Sequence, residues 1–228
     1  MIGIICAMAV EANAIKEMAE EKKTQVISGV EFTNGKIHGK DVVVAVCGIG
    51  KVFAAMAAEA MILNYRPELI VNSGVAGSLS PMLGVCDIAI AESLVQHDMN
   101  TCAIGDPRGF ISGIDMIDLP VCERALKALK KSVENVGIKY VSGRIASGDL
   151  FVGSFSQKKK IADSFCAVAC EMEGAPIAQV CYVNGVEFAA MRAISDSFSD
   201  GSGMEYSEFV EIAAKNSVAV MDNFLKNY

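Results

Sequence analysis

Short apolar runs alternate with segments of helical period along almost the whole chain. Runs at 2–7, 25–30, 41–47, 68–73, 86–95, 139–147, 166–171 and 186–194 predict strands, and 10–21, 51–64, 119–135, 156–164, 174–184 and 204–226 predict helices. Val42-Val43-Val44-Ala45-Val46 and Leu69-Ile70-Val71 are apolar without alternation and rich in β-branched residues, as in central strands covered on both faces. Asn34-Gly35-Lys36 predicts a hairpin turn and so an antiparallel component. The pattern as a whole predicts an α/β chain, a three-layer α/β/α sandwich around a twisted mixed sheet, in a single domain over 1–228. Residues 97–118 break the rhythm, around Gly105-Asp106-Pro107-Arg108-Gly109. A loop of that length in a compact protein is a functional or an interface element. Lys158-Lys159-Lys160 predicts the solvated face of a short helix.

Composition narrows the class. Hydrophobic residues make up 52% of the chain and charged residues 21%, the balance of a compact soluble globule. Only 7% is aromatic and there is no Trp, so aliphatic and Met side chains must fill the core. A net charge of −7 argues against nucleic acid or an anionic membrane as partner. The eight Cys are scattered through apolar runs without a Cys-x-x-Cys pair, which predicts reduced, buried thiols in a cytoplasmic protein. The first apolar run lacks a basic flank and stops at Glu11, too short to span a bilayer, and reads as a first strand. His38 and His97 have no second ligand at metal spacing, so no metal and no cofactor is expected. His97 beside Asp98 reads as a structural or interface pair in preference to a functional dyad.

The glycine turns are less specific. Cys47-Gly48-Ile49-Gly50-Lys51 sits between a strand and a helix, but Phe53 stands where a dinucleotide fingerprint needs its third glycine, and the spacing is not that of a Walker loop. A turn whose backbone approaches a small ligand remains. Asn72-Ser73-Gly74-Val75-Ala76-Gly77-Ser78 fits either a ligand cradle or a plain strand-to-loop turn. Phe151, in Ser147-Gly148-Asp149-Leu150-Phe151-Val152, fits either a stacking platform or a core ring.

The acids carry more. Glu11, Glu173, Arg192 and Asp196 each follow a predicted strand, where an α/β sheet gathers its chemistry. Each alone also fits a helix cap or a salt bridge. Jointly, with glycine turns and a candidate stacking ring, they suggest cleavage of a glycosidic bond, which needs an acid for the leaving group and a base for water.

These residues match a family. Ala7-Met8 with Glu11, Gly48-Ile49-Gly50-Lys51, Ser147-Gly148-Asp149 with Phe151, Glu171-Met172-Glu173, Arg192-Ala193-Ile194-Ser195-Asp196 and Tyr206-Ser207-Glu208-Phe209 resemble the 5′-methylthioadenosine/S-adenosylhomocysteine nucleosidases of the nucleoside phosphorylase superfamily. The resemblance implies a cytoplasmic homodimeric N-ribosyl hydrolase that releases adenine from 5′-methylthioadenosine and S-adenosylhomocysteine. It implies that Asp196, its acidity weakened by burial and held by Ser195, protonates the purine N7. Phe151 would stack on the base, with the Val152 backbone reading its edge. Glu173 would hold the ribose hydroxyls over Met172. Glu11, with Arg192 nearby, would activate water. Met8, Ile49 and Tyr206 would line the 5′-thioether pocket, and Phe110 would reach into the partner subunit's site. Val75 stands where the family usually carries a serine that orders water, leaving Ser73 or Ser78 as the nearest hydroxyls. Glu11 would repel phosphate, which favours hydrolysis over a purine nucleoside phosphorylase. A hydrolase of 5′-deoxyadenosine or a futalosine-type nucleoside, and a non-catalytic nucleoside-binding protein, are the rival readings.

Overall fold

The computed structural model describes residues 1–199 and 202–228, without the side chains of 202–205 and 207. The side chain of Ser207, one of the matched positions, therefore lies outside the described residues. The chain runs β1 (Ile2–Cys6), α1 (Ala9–Met18), β2 (Glu20–Ile27), β3 (Val30–Ile37), β4 (Lys40–Val46), α2 (Lys51–Tyr65), β5 (Leu69–Ser78), β6 (Ile88–Gln96), β7 (Leu119–Pro120), α3 (Glu123–Val136), β8 (Tyr140–Ser147), α4 (Phe155–Phe165), β9 (Ala167–Glu171), α5 (Gly174–Asn184), β10 (Glu187–Asp196) and α6 (Ser202–Asn227).

All ten strands form one mixed sheet, in the order β10-β6-β8-β9-β5-β1-β4-β3-β2 with β7 beside β6. β5 also pairs with β10, so β5, β10, β6, β8 and β9 close into a ring from which β1, β4, β3 and β2 extend. β1, β4, β5 and β10 are mutually parallel through β1–β4, β1–β5 and β5–β10. Their carboxyl ends, at Cys6, Val46, Ser78 and Asp196, therefore point to one edge.

Two apolar cores make the three layers. On one face α2 and α5 bury Ala54, Ala57, Ala58, Met61, Ile177, Ala178 and Cys181 against Ile5, Val43, Ile70 and Ala190. On the other, α1, α3 and α6 bury Ile15, Leu129, Val133, Val220, Phe224 and Leu225 against Ile4, Val44, Val71 and Ala189. Alternate residues of β1, β4 and β5 thus serve opposite cores, which is why these strands read as unbroken apolar runs.

The hairpin region differs from its expectation. The turns are the two-residue loops Ser28-Gly29 and His38-Gly39, with positive φ at all four residues, the geometry that suits the twist of paired strands. Asn34-Gly35 lies inside β3. A Cβ at Gly35 would meet the Glu20 carbonyl oxygen at 2.5 Å, where the β2–β3 register shifts. The glycine serves a bulge, and the turn lies elsewhere. The helix predicted over 10–21 ends at Met18, because Glu20-Glu21-Lys22-Lys23 begin β2, a charged and exposed edge strand. The helix predicted from 119 starts at Glu123, since Leu119–Pro120 pair with β6.

Residues 97–118 carry only a 3₁₀ turn at Cys102–Ile104 and one bridge between Ile111 and Met116. Cys6, Cys47, Cys170 and Cys181 are buried, but Cys102 and Cys166 are exposed, against the expectation of buried thiols. Among the described residues, no helix is long and apolar enough to cross a membrane.

Helix α2 ends on Arg66 in the left-handed conformation, φ 52 and ψ 51, which strains any residue with a Cβ. Arg66→Gly should stabilise the protein by about 0.5–1 kcal/mol, read as a higher urea midpoint. A midpoint at or below that of the wild type would contradict this reading of the cap.

Candidate active site

One cavity opens at the carboxyl edge of the sheet. Met8, Glu11, Ile49, Val75, Phe151, Val152, Met172, Glu173, Ser195, Asp196 and Tyr206 line it. These are all the sequence-predicted site residues except two: Arg192 lies behind the wall and Phe110 is in the 97–118 loop, outside this chain's cavity.

Glu11 is the third residue of α1. One carboxylate oxygen accepts the Met8 amide at 2.9 Å, a helix-capping contact, and the other accepts the Val75 amide at 3.1 Å. The cap reading and the site reading of Glu11 are therefore both true. Gly74 makes the approach possible, since a Cβ there would come within 2.7 Å of Glu11 Oε1. Burial pushes the Glu11 carboxyl above its ordinary range, against the Met8 amide and the Arg192 charge that pull it down. Val75 contributes its amide where a serine hydroxyl was missed. Ser73 and Ser78 do not compensate: Ser73 meets Ser217 at 2.9 Å, and Ser78 donates to the Ser80 and Leu83 carbonyls. The whole 72–78 segment is strand β5, so its glycines form no loop cradle. Gly74 clears room for Glu11 and Gly77 for Asp196.

Glu173 caps α5, and its Oε1 accepts the Gly50 amide at 2.8 Å. Gly48 and Gly50 hold φ of 91° and 101°, open only to glycine at low cost, so the Gly-Ile-Gly turn delivers that amide while Ile49 faces the cavity. Burial first, and then the neighbouring Glu171 charge, push Glu173 up to about 7.

Glu171 sits deeper, as the anion of a polar cluster the sequence left without a role. Its Oε2 accepts Arg192 Nη2 at 2.5 Å and the amides of Glu173 and Gly174 at 2.9 and 2.7 Å; its Oε1 accepts the Ser147 hydroxyl. Burial raises the Glu171 carboxyl, but the Arg192 charge and the Ser147 hydroxyl outweigh that and hold it below its ordinary value. Arg192 also donates to Asn72, whose amide donates to the Ile5 carbonyl at 2.9 Å. This corrects the expected place of Arg192: it pairs with Glu171 and does not share the cavity with Glu11. Its charge reaches Glu11 only through the field.

At the far end, Ser195 Oγ lies 3.0 Å from Asp196 Oδ1 and 3.3 Å from the Ala76 carbonyl. Asp196 Oδ2 meets Lys158 Nζ at 2.5 Å, and that ammonium also reaches the Ser197 carbonyl. Lys158 is fully buried, which overturns the reading of Lys158-Lys159-Lys160 as a wholly solvated face. Lys159 does follow it, pairing with Asp163 at the surface. A signal was available, because Lys158, Ile161 and Phe165 share one helical face, and all three are buried.

Phe151 is half exposed at the cavity mouth, edge-on to Tyr206 at 5.5 Å, so it is no core ring. Tyr206 OH lies 3.4 Å from Met8 Sδ, closing an apolar corner. Cys170 also lines the cavity, but burial pushes its thiol up to about 12, so it is no nucleophile. His97 and Asp98 meet through their charges and not as a hydrogen-bonded dyad: Asp98 binds Lys51 Nζ at 2.8 Å and the Asp149 amide at 2.9 Å, while His97 packs under Gly148, its basicity lowered by burial against the opposing Asp98 charge. Among the described residues, no three His, Cys, Asp or Glu side chains gather to hold a metal.

The raised Glu173 value has a linked effect on stability. A carboxyl whose folded value of about 7 exceeds its ordinary 4.5 stabilises the fold below 4.5, and loses that contribution as pH rises through 7. Glu173→Gln, which cannot ionise, should flatten the fall in unfolding free energy between those two pH values. An unchanged pH slope would show that Glu173 is not the group responsible.

The cavity thus has an aromatic mouth at Phe151 and Tyr206, three acids along its wall and an apolar corner. The sequence matches the phosphorylase superfamily over residues 1–226. The 5′-methylthioadenosine/S-adenosylhomocysteine nucleosidase of Shewanella halifaxensis is 35% identical over 227 residues, covering 99% of this chain and 98% of that protein. The Neisseria meningitidis nucleosidase, solved in complex with methylthio-immucillin-A, superimposes with a TM-score of 0.96 at 31% identity, over 100% of this chain and 99% of that one. The futalosine hydrolase of Helicobacter pylori superimposes at 0.94 with 33% identity, over 100% and 97%. With its length and fold matched throughout, this chain belongs to the phosphorylase superfamily.

Proposed function

We propose that the chain is an N-ribosyl hydrolase that cleaves 5′-methylthioadenosine and S-adenosylhomocysteine to adenine and the 5-thio-substituted ribose. The observation that carries this is the convergence of Glu11, Glu173 and Asp196 on one cavity, between a stacking ring and an apolar corner. The relatives named for this reaction match over nearly the full chain.

In this reading the purine enters at Phe151, with the Val152 backbone along its edge and N7 facing Asp196. The ribose lies over Met172 with its hydroxyls on Glu173, and the 5′-thioether fills the corner of Met8, Ile49 and Tyr206. Glu11, fixed by two backbone amides, binds water on the face of the sugar away from the base and takes its proton. As the C1′–N9 bond lengthens the sugar becomes cationic. Ionised Glu173 and Glu11 stabilise that charge more in the transition state than in the ground state, which is what lowers the barrier. Glu11 also repels phosphate, so water is the nucleophile. Arg192 supports the acids from behind, through Glu171, and does not touch substrate.

The chain acts as one domain in the cytoplasm and as a homodimer, with Phe110 of the 97–118 loop completing the partner's pocket. The likeness to a futalosine hydrolase keeps a futalosine-type nucleoside as the second reading, distinguished by a panel of 5′-substituents.

In phosphate-free buffer the protein should release adenine from methylthioadenosine. Glu11→Gln and Asp196→Asn should each slow turnover by about 10²-fold or more. Rates near wild type in both variants would exclude this mechanism.

A further inference from the structure

Among the described residues, Lys158 is the one buried cation on Asp196, the acid that in the proposed mechanism frees the leaving group. Its side chain is 0% exposed and that of Asp196 4%, at a separation of 2.5 Å. Charges are placed so deep only with a partner or a task, and an isolated carboxylic acid would need no ammonium there. Both oxygens of Asp196 are engaged, Oδ1 by Ser195 and Oδ2 by Lys158. Asp196 thus accepts from two donors, and the Lys158 ammonium is the proton-bearing group directly against it.

We infer that Lys158 is a positioning residue for Asp196: it fixes the carboxylate at the cavity wall and stores the proton that Asp196 passes to the purine. This rests on the reading that N7 faces Asp196. A nucleoside filling the cavity takes the last solvent from the exposed edge of Asp196, and the neutral pair of amine and carboxylic acid gains relative to the ion pair. The Lys158 N–H bond then breaks as the Asp196 O–H bond forms. That O–H bond breaks in turn as N7–H forms and the C1′–N9 electrons pass to the purine. Water supplies the new C1′–O bond, and its proton goes to Glu11. After adenine leaves, Glu11 releases that proton to solvent and Lys158 takes one back.

Among the described residues, the other titratable groups facing the pair are Cys170 from β9 and Tyr206 from α6, both raised by burial. Glu11 and Glu173 titrate in the same cavity and shape the acid side of the profile in every variant.

The test is kcat/KM for adenine release from methylthioadenosine between about pH 5 and pH 10, in wild type, Lys158→Met and Lys158→Arg. If one proton is shared by the pair, wild type stays active well above neutrality. Lys158→Met leaves a lone carboxylic acid, so its alkaline limb should move down by at least about two pH units, with a lower maximum because Glu173 and Glu11 take up protons over the same range. Lys158→Arg keeps the charge but cannot give up a proton, and should lose about 10²-fold at every pH. A limb that stays put or moves up in Lys158→Met would overturn the inference, because an ammonium that merely suppressed the acid predicts an upward move. Should that variant fail to fold, a wild-type limb below about pH 6 would overturn it equally. Adenine release by wild type with either of these results sinks only this inference; no adenine from wild type at any pH sinks the nucleosidase reading and this inference with it.

Discussion

The buried pair of Arg192 and Glu171 is the constraint on which the site is built. Two full charges far from water are favourable only when most of their remaining hydrogen-bonding capacity is met, and here backbone and polar groups of several strands meet all of it but Arg192 Nε, which has no partner among the described residues. Glu171 gathers the amides at the start of α5 and the hydroxyl of Ser147 at the end of β8, while Arg192 ties β10 to Asn72 of β5 and, through it, to Ile5 of β1. The cluster thus links β1, β5, β8, β9 and β10 beneath the cavity floor. Removing one partner would leave the other charge buried and unpaired, so the pair fixes the relative placement of the strands that carry the reactive groups.

Above that floor, three carboxyls share one cavity and differ by what each touches. Glu11 is held by the amides of Met8, just past β1, and Val75 of β5, Glu173 by one amide beside a neighbouring anion, and Asp196 by a hydroxyl and a buried ammonium. In the proposed mechanism one side-chain chemistry serves as base, sugar-binding anion and proton donor, with the protein environment dividing the tasks. The deeper cation matters twice, since the field of Arg192 opposes burial at both Glu11 and Glu173.

Much of this was legible in the sequence, for a physical reason. Doubly covered parallel strands must be apolar throughout, so β1, β4 and β5 announced themselves, and acids just past such runs announced the edge at which the cavity opens. What stayed hidden depended on partners distant in sequence. β2 is charged and half solvated, as an edge strand must be, and so resembled the helix before it. Gly74 and Gly77 read as loop glycines because a carboxylate pressing on a strand leaves no local mark. Arg192 looked like a cavity residue because its partner, Glu171, was named only as part of a motif. Lys158 was hidden by its two lysine neighbours, although its spacing to Ile161 and Phe165 placed it on the inward face of α4.

In the proposed mechanism water, held at Glu11, attacks the sugar while the purine leaves toward Asp196. Turnover of methylthioadenosine in ¹⁸O-enriched water, with phosphate present, tests it most directly by mass spectrometry of both products. The predicted result is one heavy oxygen on the sugar anomeric carbon and unlabelled adenine. A sugar phosphate without the label, or label in the base fragment, would contradict it.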